Sequence, residues 1–288
     1  GRSQRTTALT APDQPDLPVP PPEKEHDMTT IANAAPVPTT TRPAAQRRMS
    51  PMRTIALVGG SMYLLTFIAS IPQLWLFANI VDHPEGFIAG HGSTTPVLWG
   101  SWLEVITALS GIATAVALYP VTRRVSKSAA IGFIASRVTE AGLILVGVVS
   151  VLTVVTIRAD LAGATGSRAD ALGVTGHALI ELRQWTFLVG PGIMAGINGM
   201  FLAYVMYRSR LVPRIIPTMG LIGAPLILAS STGTLFGLWD QVSGPGFALG
   251  LPIAAWELSL GLWLTFKGFR VPAVTALEAA TERTASVA

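Results

Sequence analysis

Four ionisable side chains lie inside long apolar stretches of this sequence, where charges are uncommon. Arg137 and Glu140 stand at the head of the run "ASRVTEAGLILVGVVSVL", and Glu257 lies near the centre of "LPIAAWELSLGLWLTF". Glu104 lies in a third apolar run. Charged groups in an apolar medium are costly unless they are paired, and they commonly mark binding sites or proton relays. These four residues are therefore the first candidates for function.

Two interpretations of Arg137 and Glu140 are open. The run that follows Glu140, "AGLILVGVVSVLTVVTI", is nearly long enough to cross a membrane alone. In that case Arg137 extends to the headgroups, and Glu140 neutralises it one helical turn away. Alternatively, both residues lie inside the helix bundle and act as a gate or as proton partners.

Small and polar residues share one helix face with Glu257. Gly250, Ala254 and Gly261 lie at helical spacing around it, and two other apolar runs repeat this pattern. The repeats are Glu104, Thr107, Gly111 and Thr114, and Gly59, Tyr63, Thr66, Ser70 and Gln73. Lipid is the least suitable neighbour for such faces. We therefore predict a polar cavity lined by Glu257, Glu104, Asn198, Arg137, Glu140, Tyr63 and Gln73.

The composition indicates a membrane protein. Half of the 288 residues are hydrophobic, only 12% are charged, and the mean hydropathy is +0.52. Apolar runs long enough to span a bilayer predict an all-α bundle of six transmembrane helices within residues 54–270. The predicted helices cover about 55–78, 97–121, 129–157, 186–207, 215–239 and 247–268.

The distribution of basic residues predicts the topology. Arginines and lysines cluster before the first run, in the second and fourth loops, and after the last run, which places both termini in the cytoplasm. The third loop departs from this rule because it holds Arg158, Arg168 and Arg183, and its sequence is too polar for a further span. Residues 1–53 are proline-rich and predicted to be disordered, and residues 271–288 are predicted to be a flexible tail.

Several classes of site are not indicated. The chain has no cysteine, its histidines show no metal-ligand spacing, and no nucleophile motif or phosphate-binding loop is present, so we expect no metal, cofactor or catalytic residue. The basic residues form no continuous stripe, so nucleic acid is not expected as a partner. Arg208, Arg210 and Arg214 would attract anionic lipid headgroups, although topology alone explains their position.

Several stretches resemble one family. "EVITAL", "ASRVTEAGLI", "WTFLVGPG", "AYVMYRSRLVPRIIPTMGLIGAPL" and "WELSLGLWLTFKGF" occur in this order and are similar to a bacterial multi-pass membrane family, domain of unknown function 4386. The resemblance covers about residues 54–270. It implies an integral domain of the bacterial cytoplasmic membrane, and it implies no reaction, substrate or catalytic residue.

Three functions fit these observations. The first is a solute- or proton-linked binding or transport-like bundle with buried carboxylates. The second is a non-catalytic scaffold or accessory subunit, whose carboxylates make interhelical hydrogen bonds and whose partner is another copy or another membrane protein. The third, a membrane enzyme acting on lipids, is less favoured because no nucleophile or metal constellation accompanies the carboxylates.

Overall fold

The computed structural model describes residues 49–285, and this part of the chain is helical. Within it, six helical stretches are long and apolar enough to cross a membrane, in the predicted order. The predicted disordered tail lies outside the described residues, except for residues 49–53. The described helices are α1 (Pro51–Leu76), α2 (Ala78–Asp82), α3 (Pro84–Ile88), α4 (Thr95–Val125), α5 (Lys127–Leu161), α6 (Ser167–Phe187), α7 (Ala195–Ser209), α8 (Ile215–Leu235), α9 (Gly244–Phe266) and α10 (Val271–Ala285), with a π-helical segment, Leu188–Met194, joining α6 to α7.

The long helices close into a ring. In the described bundle α1 packs on α4, α4 on α5, α5 on α7, α7 on α8, α8 on α9, and α9 returns to α1. Buried apolar side chains from all of these helices meet inside the ring, including Leu118, Phe133, Leu202, Trp256 and Leu260. The ring encloses a common interior, which is where the polar faces of the helices can meet.

Basic residues gather at one end of the ring, which we call the basic end. Arg53 at the start of α1 donates hydrogen bonds to the carbonyl oxygens of Leu264 (2.9 Å) and Thr265 (2.6 Å) at the end of α9. These carbonyls lack partners within their own helix, and the positive charge complements the helix dipole. Arg53 thereby fixes α1 against α9 at the basic end.

Glycine allows α1 and α9 to approach closely near this end. A Cβ atom added to Gly60 would lie 2.6 Å from the backbone nitrogen of Thr265, and one added to Gly261 would lie 2.9 Å from Leu64 Cδ2. A larger residue at Gly60 would meet the backbone of α9 and force the helices apart, and one at Gly261 would displace the side chain of Leu64. The inner faces that carry Tyr63 and Glu257 are thus held together on their basic side.

The prediction of a loop over residues 158–185 is wrong. The α5 helix continues through Arg158 to Leu161, α6 begins at Ser167, and α6, the π-helical segment and α7 form one stretch of 43 residues. The sequence is polar here because α6 buries only a narrow face, formed by Gly176, Ile180, Arg183 and Thr186, against its neighbours. Hydropathy alone therefore marks α6 as a loop, although the residues are helical.

Pro191 explains the π-helical segment. Proline has no backbone N–H and its ring clashes with the preceding turn, so a regular α-helix cannot pass through it unchanged. The wider π turn over Leu188–Met194 absorbs this irregularity without ending the helix. The α6 and α7 helices therefore form one continuous helical segment.

The C-terminal segment differs from the flexible tail that the sequence predicts. Val271–Ala285 form the amphipathic helix α10, and Ala273, Val274 and Leu277 pack against the apolar core at the basic end. Three apolar residues at helical spacing supply the buried face. The remaining residues, 286–288, lie outside the described part of the chain.

Candidate functional site

Four of the predicted site residues share one depth in the bundle. Tyr63, Arg137, Asn198 and Glu257 are each ten residues along their helix from a basic residue at its end, namely Arg53, Lys127, Arg208 and Lys267. Ten residues of α-helix span about 15 Å, which is half of a hydrocarbon core of about 30 Å. The four side chains therefore lie near the middle of the membrane.

Arg137 joins two carboxylates across the ring. Its Nη1 donates to Glu140 Oε2 at 3.0 Å, and its Nη2 donates to Glu257 Oε1 at 3.3 Å. Glu140 stands one turn along α5, whereas Glu257 comes from α9 on the other side of the ring interior. The long arginine side chain thus ties two helices together through charge-assisted hydrogen bonds.

Polar groups from two more helices complete this cluster. Asn198 Nδ2 on α7 donates to Glu140 Oε2 at 2.7 Å, and the Tyr63 hydroxyl on α1 donates to Glu257 Oε1 at 3.3 Å. The guanidinium of Arg137 also lies over the Tyr63 ring, 5.2 Å from its centroid. We call Tyr63, Arg137, Glu140, Asn198 and Glu257 the central network.

Burial excludes the interpretation in which Arg137 reaches the headgroups. Its side chain is 3% exposed, that of Glu140 is 10% exposed, and that of Glu257 is 20% exposed. Both Arg137 and Glu140 point into the bundle, so their charges act inside the protein. Glu257 is the most accessible of the three.

The central network has an excess of acidic groups. Two carboxylates, Glu140 and Glu257, share the single guanidinium of Arg137, and the other described partners, Asn198 and Tyr63, are neutral donors. With both carboxylates ionised the network would carry one net negative charge at mid-membrane, which is unfavourable in a low dielectric. One additional proton shared by the two carboxylates would make the network neutral.

Glu104 belongs to a separate ion pair. Arg183 Nη2 donates to Glu104 Oε1 at 2.6 Å, and its guanidinium lies over the rings of Phe77 and Phe187, 4.9 and 4.8 Å from their centroids. The side chains are 7% and 3% exposed for Arg183 and Glu104. Glu104 therefore does not join the central network as the predicted cavity requires.

Sequence reasoning missed Arg183 because it placed this residue in a loop. Glu104 is nineteen residues from Arg123 at the basic end, about 28 Å along the helix, and so lies close to the far edge of the membrane core. Two features of the sequence could have indicated this pair. An acidic residue inside an apolar helix needs a cation, and Arg183 shares a helical face with Ile180 and Gly176.

Hydroxyl and amide groups connect α1 to α4 between these two sites. Thr66 Oγ1 and Ser110 Oγ are 2.8 Å apart, and Gln73 Nε2 donates to Thr107 Oγ1 at 2.9 Å. Thr107 precedes Gly111 by one turn and follows Glu104 by one turn on the same helix. We call the side chains of Thr66, Ser110, Gln73 and Thr107 the hydroxyl ladder. They form a polar path from the level of the central network towards Glu104.

The basic residues of the α7–α8 turn remain on the surface. Arg208, Arg210 and Arg214 are exposed, Arg208 donates to the Tyr204 hydroxyl at 2.7 Å, and Arg214 lies over the Tyr207 ring. Among the described residues, no group of three or more histidine or acidic side chains is placed to bind a metal ion. At the opposite end, Arg158 binds the carbonyl oxygens of Gly90, His91 and Gly92, so it has a structural partner there.

The fold and the buried ion networks define a multi-pass helical membrane protein. The chain belongs to the family of the domain of unknown function DUF4386, whose model matches residues 58–268. This confirms the resemblance seen in the sequence and covers the described ring of helices. No curated protein and no solved structure is found to match the chain.

The charge count of the central network predicts an unusual pattern of stability. Glu140→Gln or Glu257→Gln alone leaves Arg137 with one carboxylate, so each single change is expected to cost little. The double substitution leaves Arg137 buried without a counter-charge, and we expect it to destabilise the protein by about 3–5 kcal/mol. Unfolding of the purified protein in detergent, with the exposed Asp170→Asn as a control, measures the three effects; additive effects would contradict this prediction.

A second prediction concerns the Glu104–Arg183 pair. Arg183→Met leaves Glu104 buried without its partner, and we expect a loss of about 3–5 kcal/mol in unfolding free energy. Adding Glu104→Gln removes the unpaired charge and should restore most of that loss. Thermal unfolding in detergent is the measurement, and Arg168→Met on the exposed face of α6 is the matched control. A double variant no more stable than Arg183→Met would count against the pairing.

Proposed function

We propose that this protein is a proton-linked, transport-like membrane bundle in which Glu140 and Glu257 share one proton beside Arg137. The observation that carries the proposal is that two carboxylates share one guanidinium near mid-membrane. A structural ion pair requires only one carboxylate for each arginine. The second carboxylate instead supplies a site that can gain or lose a proton.

The geometry supports an exchange between two neutral arrangements. When Glu140 carries the proton, Arg137 pairs with Glu257, and when Glu257 carries it, Arg137 pairs with Glu140. Both partners are already within hydrogen-bonding distance of the same guanidinium, at 3.0 and 3.3 Å. A small shift of Arg137 therefore accompanies transfer of the proton, and neither arrangement leaves an unpaired charge in the membrane.

The distribution of polar groups favours access to the network from the end opposite the basic end. On the basic side of Glu257, Leu260 and Leu264 of α9 are buried and apolar. On the other side, the hydrogen-bonded pairs Thr66–Ser110 and Gln73–Thr107 lie between α1 and α4. Protons or a solute would thus reach Glu257 from that side.

We further propose that the protein lies in a bacterial cytoplasmic membrane with its basic end in the cytoplasm. The support is the concentration of arginine and lysine at that end, in the helix ends and the short links between α4 and α5 and between α7 and α8. In this orientation Arg208, Arg210 and Arg214 face the anionic headgroups of the inner leaflet.

The absence of cysteine makes the orientation directly testable. Ser128 is exposed at the basic end and Val174 is exposed on α6 at the other end. In intact cells, a membrane-impermeant thiol reagent should label Val174→Cys, and it should label Ser128→Cys only after the cells are opened. The reverse pattern would overturn the proposed orientation.

The proton-linked function is tested with the full-length protein in lipid vesicles. We expect wild-type vesicles to dissipate an imposed pH gradient faster than empty vesicles, and Glu257→Gln to reduce the rate to that of empty vesicles while the protein remains folded. A pH-sensitive dye inside the vesicles measures the rate. Asp170→Asn, an exposed carboxylate on α6, is the control and should behave as wild type.

Wild-type vesicles no leakier than empty ones would count against this proposal, and so would unchanged flux in Glu257→Gln.

A loss of folded protein or of an assembled complex in Glu257→Gln would instead favour the second candidate, a non-catalytic scaffold. One observation favours that candidate: the cavity beside Arg137 and Glu140 has room for only about 10 Å³. The scaffold would bind another copy of this chain or another membrane protein through its lipid-facing helices.

A further inference from the structure

A small, partly open space adjoins the central network. It has a volume of about 10 Å³, and four of its lining residues, Thr66, Thr107, Arg137 and Glu140, are polar, whereas Ala108, Gly111, Ala141 and Ile144 are not. This is room for roughly one water molecule, and a water needs two to four polar partners to remain in a protein interior. The lining offers that number, so the space has both the size and the chemistry of a water site.

One donor of Arg137, a residue that lines this space, has no described partner. The Nε atom of Arg137 is buried and has no hydrogen-bond partner among the described residues, although both Nη atoms of the guanidinium are paired. A buried N–H without an acceptor destabilises the folded protein. A water that reaches this atom would accept its hydrogen bond.

We propose that this cavity binds one water molecule, which links the central network to the hydroxyl ladder of Thr66, Ser110, Gln73 and Thr107. Arg137 and Glu140 bound the cavity on the α5 side, and Thr66 and Thr107 bound it on the side of α1 and α4. The ladder residues are hydrogen-bonded in pairs at 2.8 and 2.9 Å. With the water in place, polar groups extend from Glu257 through Arg137 and Glu140 to Thr107, one turn from Glu104.

The water also offers a route for the proton, and this part of the inference rests on the proposed function. A hydronium ion formed at the ladder side of the cavity transfers one proton to a carboxylate oxygen of Glu140 and remains as water. Arg137 then pairs with Glu257, so the charge of the network is balanced after the transfer. The proton originates from bulk water at the end opposite the basic end.

Gly111 provides a conservative way to displace the water. A Cβ atom added there would lie 3.8 Å from Cδ and Nη1 of Arg137, which is ordinary van der Waals contact. Gly111→Ala should therefore fit without moving the ion pairs, while its methyl group occupies the cavity. Gly142→Ala is the matched control, because that glycine is exposed on α5 and an added Cβ meets nothing within 4 Å.

The water itself is tested by hydroxyl-radical labelling, in which X-rays generate radicals from waters bound inside the reconstituted full-length protein. Ile144 lines the cavity, whereas Leu118 is buried in the apolar core away from it. We expect oxidation of Ile144 in wild type and Gly142→Ala, its loss in Gly111→Ala, and no oxidation of Leu118 in any of them. An unlabelled Ile144 in wild type would overturn the water site.

The proton route is tested on the same samples with the pH-gradient assay. Flux that is lost in Gly111→Ala and retained in Gly142→Ala supports the route through the water. Normal flux in Gly111→Ala, together with loss of flux in Glu257→Gln, would overturn the route and leave the proposed function intact. Labelling of Ile144 without any wild-type flux would establish the water site and overturn the proton-linked function.

Discussion

The placement of one guanidinium between two carboxylates near mid-membrane constrains the rest of this structure. Arg137 can reach both Glu140 and Glu257 only if α5 and α9 face the same interior from opposite sides of the ring. Buried ionic groups tolerate little error in position, because a lost partner leaves a charge in a low dielectric. The central network therefore both requires the ring of helices and helps to fix its register.

Packing at the basic end provides the rigidity that this arrangement needs. Glycines 60 and 261 bring α1 and α9 into contact, Arg53 caps the end of α9, and α10 adds apolar side chains to the core. Small residues are favoured here because van der Waals contact, rather than the hydrophobic effect, drives association between helices in lipid. The hydroxyl ladder and the Glu104–Arg183 pair lie further towards the other end.

The second ion pair shows how an irregular helix extends the polar system. Arg183 lies on α6 and Asn198 on α7, and the π-helical segment keeps both on one rod despite Pro191. One rod therefore contributes to the central network at mid-membrane and to the Glu104 pair near the membrane edge. The hydroxyl ladder lies between these two levels, which gives the polar side chains an order along the bundle axis.

The sequence by itself determined the number and order of the spanning helices, because length and hydropathy follow directly from the apolar medium. It also identified Arg137, Glu140 and Glu257 as charges inside apolar runs and Tyr63 as part of a polar helix face, and it included Asn198 in the predicted cavity. It did not reveal that these residues meet while Glu104 pairs with Arg183, because partners more than 50 residues apart depend on the ring closure. The sequence did not predict that α6 is helical, for a related reason. The residues of α6 are polar on average, and only tertiary packing on α5 shows that its narrow inner face is buried.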